Sequence, residues 1–220
     1  MNWQPFLISL VGALAGAFSG AWFAFLFNSN RVRKLRENDD IRNGNLALNN
    51  LFEYWNSLEQ YAKEVVRPYV GKHDAWISMP PSLTRFQKMP SLRDIDLSFI
   101  LGSDHSSAYA KIYLEEHRYH SIQATIEQRN FLIVQIVRPA MASAGIKEGD
   151  PVNESVVTSI IGNDKATELH AVSDALLSNV PNGLESLPDA FRLLRGVLTE
   201  LYPKRNFIQC DFKQWTDSDE

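Results

Sequence analysis

Residues 5–27 read PFLISLVGALAGAFSGAWFAFLF, twenty-three positions without a charged side chain. As a helix rising ~1.5 Å per residue this run reaches ~34 Å, enough to cross a ~30 Å hydrocarbon core with some tilt. Two other readings compete with a membrane span. A secretory signal needs a positive start and an apolar run of only ~7–15 residues. Met1 to Gln4 carries no side-chain charge and the run here is longer, although Ala13-Leu14-Ala15 resembles a cleavage site. A buried core helix rarely runs ~18 residues without a charge. The run is therefore expected to be a transmembrane helix over residues 5–28.

The flanks set an orientation. Arg31, Arg33, Lys34 and Arg36 follow the span closely, and Arg42 comes after them. Basic residues beside a span stay on the cytoplasmic side, so the N-terminus is expected outside and the remainder in the cytosol. These four cations suit anionic lipid headgroups. Trp3 fits the outer interface, and Trp22, Phe25 and Phe27 the inner one.

Within the span, Gly12, Gly16 and Gly20 recur every four residues and share one helical face near Ser9. Leu7, Leu14, Phe18 and Phe25 take the opposite side, and Phe23 interrupts the glycine face near its cytosolic end. A ridge of small residues lets helices approach closely in lipid, so the face predicts a homo-oligomer. Glycine is also common in membrane helices generally, which is the plainer explanation.

The remaining ~190 residues suffice for one domain with a proper core. All charged side chains fall there, so the net charge of −4 belongs to this body and argues against broad nucleic-acid binding. The single cysteine, Cys210, excludes an internal disulfide and fits a reducing compartment. No repeat is evident.

Helical periodicity dominates this part of the chain. Gly44 and its asparagine neighbours look like a weak point. Asn45–Arg67 then reads as the first helix of the body, with Leu48, Phe52, Trp55, Ala62 and Val66 on one face, Leu51 and Leu58 at its edge, and Arg67-Pro68 as its end. Tyr69–Pro90 reads as a loop anchored by Trp76. Ser91 suits the cap of a short helix closed by Gly102, and a long helix follows to about Val137. A short helix opening at Asp150-Pro151 stops at Gly162-Asn163, and another runs to Val180. Pro181-Asn182-Gly183 reads as a turn. Ser186 and Asp189 then read as the capping box of a last helix ending at Tyr202-Pro203. Phe207–Phe212 is expected to lie extended on the body. The expected fold is all-α: residues 1–4 outside, the span 5–28, a basic connector 29–44, a cytosolic helical domain of five to seven helices over 45–212, and an acidic tail 213–220.

Catalytic signatures are scarce. No GxGxxG, P-loop, HExxH, GxSxG, CxxC or EF-hand pattern occurs, and one cysteine cannot build a thiolate zinc site. No cofactor or metal is expected. The candidate pair is Glu116 and His120, four apart on a face shared with Tyr109 and Ile112. A carboxylate and an imidazole held together can bind a metal or move a proton. The plainer reading is a buried hydrogen-bonded pair or a half-exposed ion pair linking helices. His73, His105 and His170 each stand alone. Lys204 and Arg205 in Tyr202-Pro-Lys-Arg205 complement a helix C-terminus.

Leu46–Tyr54, Arg67-Pro68, Trp76 before Met79-Pro80, and Tyr202-Pro-Lys-Arg205, behind an N-terminal span with a basic stop, resemble a group of bacterial single-pass inner-membrane proteins with a cytosolic helical domain. The resemblance implies an inner-membrane location and carries over no catalytic residue. The leading expectation is an interaction, scaffold or sensor protein that oligomerises through its span and docks a cytosolic protein. A membrane-perturbing effector, such as an antiviral system might use, and a membrane-tethered enzyme built on Glu116 and His120 are the alternatives.

Overall fold

No proline falls between Pro5 and Pro68, so nothing in that interval removes a backbone donor from a helix. The computed structural model describes residues 4–82, 91–147, 150 and 152–212, with side chains from Gly16 onward. In it a single helix, α1, runs from Gln4 to Tyr61. At ~1.5 Å per residue its 58 residues extend ~87 Å. The helix loosens into a π segment, Ala62–Val66, and a 3-10 turn, Arg67–Tyr69, where Pro68 ends the series. Residues 29–44 thus continue the helix. The readings of Trp3, of residues 83–90 and of the tail 213–220 fall outside the described residues, as do those of the faces formed by Leu7, Ser9, Gly12 and Leu14.

Gly44 is no break. It is buried where α1 meets the last helix, and a Cβ added there would lie 2.6 Å from Leu198 Cδ2 and 2.9 Å from Cδ1. Glycine is present because the two helices approach closely, and its helix-propensity cost of ~1 kcal/mol is offset by packing on both sides.

The remaining helices are α2 (Ala75–Ser78), α3 (Ser98–Leu101), α4 (Ser106–Phe131), α5 (Arg138–Ser143), α6 (Glu154–Ile161) and α7 (Asn163–Leu201). A π segment, Leu132–Val137, joins α4 to α5. The body is all-α, with no strand among the described residues. Its frame is three long helices, α7 packing against both α1 and α4. Leu48, Leu51 and Leu58 of α1, Ile112 and Ile126 of α4, and Leu176, Leu187 and Leu194 of α7 form the main core. Leu51 and Leu58, expected at the edge of a stripe, are fully buried because α1 is covered from two directions. A smaller cluster gathers Trp76, Leu132, Ile133, Val157, Ala166 and Leu169. Phe207 is buried, and Phe212 sets its ring edge-on to Phe52, Trp55 and Phe191.

The sequence reading of two helices split at Pro181-Asn182-Gly183 is corrected. α7 is one helix of 39 residues with Pro181 and Pro188 inside it. Val180, Leu184, Leu187, Phe191 and Leu194 keep one buried ridge through both prolines. Gly183 serves close approach here rather than a turn, since an added Cβ would sit 3.0 Å from Leu58 Cδ1 and 3.1 Å from Ile122 Cδ1. Helix α6 begins at Glu154 rather than at Asp150-Pro151, and Asn153 caps it by accepting from Val156 N–H.

Among the described residues, no helix is long and apolar enough to cross a membrane. Residues 5–15, nearly half of the uncharged run, are described as helical backbone only. The transmembrane expectation thus gains no support from the described residues.

Two substitutions test the frame. Gly44→Val should lower stability by ~1–3 kcal/mol through overpacking against Leu198, with partial recovery on adding Leu198→Ala. Pro181→Ala, on the exposed side of α7, should raise stability by up to ~3 kcal/mol. Denaturant unfolding checks both, and a loss of stability in Pro181→Ala would point back to a turn.

Candidate functional site

Helix α4 carries three charged side chains that are almost wholly buried: Glu115, Glu116 and Arg129. Each fastens a different part of the chain. The Glu116 Oε1 accepts from Leu92 N–H at 2.6 Å and Ser91 O–H at 2.8 Å, with Tyr54 O–H at 3.5 Å. Ser91 Oγ in turn accepts from Arg93 N–H. The carboxylate therefore holds the first amide of the 3-10 turn Leu92–Asp94 against α4, and Tyr113 O–H donates to Leu92 O from the same helix. Burial and then the adjacent Glu116 charge push the Tyr54 phenol well above its usual range, so it stays neutral and donates.

His120 is brought to Glu116 as the spacing predicts, with Nε2 3.8 Å from Oε1. Its ring is about half exposed and its Nδ1 lies 3.4 Å from Gln123 Oε1. Tyr54 and Tyr119 stack at 4.2 Å beside it. The pair opens on a cleft of about 330 Å³ shared with Ser91, Arg93, Tyr113 and His117. Among the described residues no group of three or more His, Cys, Asp or Glu is placed to hold a metal. With Oε1 accepting from an amide and a hydroxyl, the arrangement locks residues 91–94 to the bundle.

Glu115 was not singled out by the sequence. It accepts from Arg118 Nη1 at 2.7 Å and from Ser186 O–H at 2.6 Å. Ser186 lies inside α7 and caps nothing; its hydroxyl ties α7 to α4. Asp189 pairs with Arg192 instead of closing a capping box.

Arg129 is fully buried and donates to neutral acceptors. Its Nε donates to Ser173 Oγ at 3.0 Å, Nη1 to Pro80 O at 3.2 Å, and Nη2 to Met79 O at 2.6 Å and Trp76 O at 3.4 Å. Burial pushes its pKa below the ordinary arginine value, opposed by the nearby Tyr61 and Tyr69. The signal was available: Tyr119, Ile122, Ile126, Arg129 and Ile133 follow one helical stripe, and a charge on such a stripe marks a polar anchor in the core.

Three further histidines each meet one carboxylate: His73 with Glu154, His105 with Glu200 and His170 with Asp174. Arg31, Arg33, Lys34 and Arg36 are exposed on α1. The structure brings Tyr202–Arg205 onto the same stretch of that helix. Arg205 binds Glu37 through Nε at 3.2 Å and Nη2 at 3.1 Å, and Tyr202 O–H donates to Asp40 Oδ2 at 2.7 Å. Burial and the Asp40 hydrogen bond raise the Tyr202 pKa. A groove of about 720 Å³ lies between Tyr202–Arg205 and α1. Its lining includes Arg33, Arg36 and Lys204, so cations far apart in sequence share one surface.

No protein-family model, curated protein or solved structure matches this chain. Its functional reading rests on its own residues.

Three substitutions separate anchoring from surface chemistry. Glu116→Ala should cost ~1–3 kcal/mol, since it strands the buried Leu92 amide. His120→Ala should stay within ~1 kcal/mol, the range of an exposed pair. Arg129→Lys should also cost ~1–3 kcal/mol despite keeping the charge, because an ammonium cannot span acceptors set for a planar fork. Chemical unfolding monitored by circular dichroism reads all three.

Proposed function

We propose that this chain is a membrane-anchored interaction protein, a scaffold or sensor whose helical body docks a cytosolic protein. Residues 5–28 span the inner membrane, the N-terminus lies outside, and the body is cytoplasmic. The observation that supports this reading is the contrast along α1. Phe18, Trp22, Phe23, Phe25 and Phe27 are each more than half exposed, whereas the main core begins with Ala47 and Leu48. Several large apolar side chains in succession on an uncovered helix mark a surface meant for lipid or another protein. The exposed cations from Arg31 to Arg36 follow at once, where headgroups would meet them.

Assembly through the glycine face belongs to the same proposal. A Cβ at Gly16 or Gly20 would meet nothing within 4 Å, so this stretch of α1 is open to a second helix. The packed interior of the body, with its acids engaged as anchors, suits docking by shape more than turnover.

The chain should remain with membranes after carbonate washing, and a reporter fused after Glu220 should be active in the cytoplasm. Recovery of the intact chain in the soluble fraction, or an extracytoplasmic reporter, would overturn the proposal. Detergent-solubilised protein should have an oligomeric mass that falls towards the monomer in Gly16→Leu; an unchanged mass would remove the glycine face from the assembly.

A further inference from the structure

The geometry points to a seat for one anionic glycerophospholipid in the groove between α1 and Tyr202–Arg205. The inference rests on the anchored reading above and deepens it. Four cations and two acids line the groove, and the acids are engaged: Glu37 by Arg205, and Asp40 by the Tyr202 hydroxyl. Among the described residues, Arg33 donates to the neutral Asn30, and Arg36 and Lys204 have no carboxylate partner. The groove therefore carries a net charge of +2, and Arg33, Arg36 and Lys204 face it outside any ion pair among the described residues.

The position along α1 specifies the ligand further. Positions 29, 32, 33, 36 and 40 fall on one side of a helix, which is why they share the groove while Arg31 and Lys34 do not line it. Measured along the axis at ~1.5 Å per residue, Arg33 lies ~9 Å and Arg36 ~14 Å beyond Phe27. Both lie past a headgroup layer ~5–8 Å deep, Arg33 by ~1–4 Å and Arg36 by ~6–9 Å, distances that long side chains bending back towards it can span. The same groove is lined by Phe25 and Val32 towards the uncharged run. A phosphate diester bearing acyl chains engages both the cations and this apolar end. Free phosphate would leave the apolar end uncovered, and a zwitterionic lipid would bring its own cation against Arg36 and Lys204.

The structure also explains why the seat includes Lys204. Arg205 and Tyr202 are the clamps that hold residues 202–205 on α1. Lys204, exposed between them, is positioned by the clamps and spends no charge on them. The segment therefore supplies a headgroup ligand that the basic run of α1 alone lacks.

The full chain in detergent micelles should be titrated by calorimetry with dihexanoyl phosphatidylglycerol, dihexanoyl phosphatidylcholine and inorganic phosphate. Tighter binding of the anionic lipid is expected, weakened roughly tenfold or more in Arg36→Gln/Lys204→Gln, as two lost headgroup charges imply. Arg31→Gln/Lys34→Gln, outside the groove, should change it by less than about twofold, and Lys204→Arg should retain it. Equal loss in both double variants would replace the seat by diffuse surface charge. Absence of preference over phosphatidylcholine, or binding of inorganic phosphate as tight as the lipid, would also overturn it. These short-chain lipids are soluble, so the titration reports on the groove whether or not the chain pellets with membranes. Failure of the seat and failure of anchoring are thus read separately.

Discussion

Folding takes the Arg129 guanidinium wholly out of water, at a desolvation cost of several kcal/mol. That cost is tolerable only if its donors find acceptors together, and the acceptors come from separate parts of the chain. Trp76, Met79 and Pro80 offer carbonyls from the segment around α2, and Ser173 offers a hydroxyl from α7. Trp76 then enters the smaller apolar cluster with Leu132, Val157 and Leu169. Segments with weak propensity of their own are fixed because a buried cation requires them in place. Glu115 and Glu116 apply the same logic from α4 towards α7 and towards residues 91–94. One helix thus organises the bundle through polar contacts that each join it to a different neighbour.

This division explains what could be read from residues alone. Stripes such as Ile112, Tyr119, Ile126 and Ile133 repeat at helical spacing, so the all-α class was legible, as were the ends at Arg67-Pro68, Gly102 and Gly162. Turn chemistry misled at Pro181-Asn182-Gly183. Proline and glycine usually break a helix, but here the neighbouring residues form one ridge buried by α1 and α4. Local preference lost to tertiary burial. Gly44 misled for the same reason, since the need for close approach is set by Leu198, more than 150 positions away. Glu116 and His120 were visible as a pair, whereas the amide of Leu92 that engages the carboxylate was not, because no periodicity encodes it.

The basic residues show the complementary case. Arg33 and Arg36 were legible as a basic cluster after the uncharged run, and Lys204 and Arg205 as cations beside a helix end. That they share one groove depends on Glu37 and Asp40, which draw Arg205 and Tyr202 onto α1. Each half looked sufficient in isolation. Their meeting is a property of the folded chain, and it leaves Lys204 uncommitted where Arg205 is not.

Because α1 passes from the exposed rod into the core without interruption, the two ends cannot turn independently. An α-helix advances 100° per residue, so the direction faced by Gly16 fixes the azimuth of Leu48, as the two ends of a rigid shaft share one phase. A rotation imposed on the exposed rod would be delivered to the bundle as rotation. The number of residues separating the rod from the core is consequently an angular setting as well as a distance.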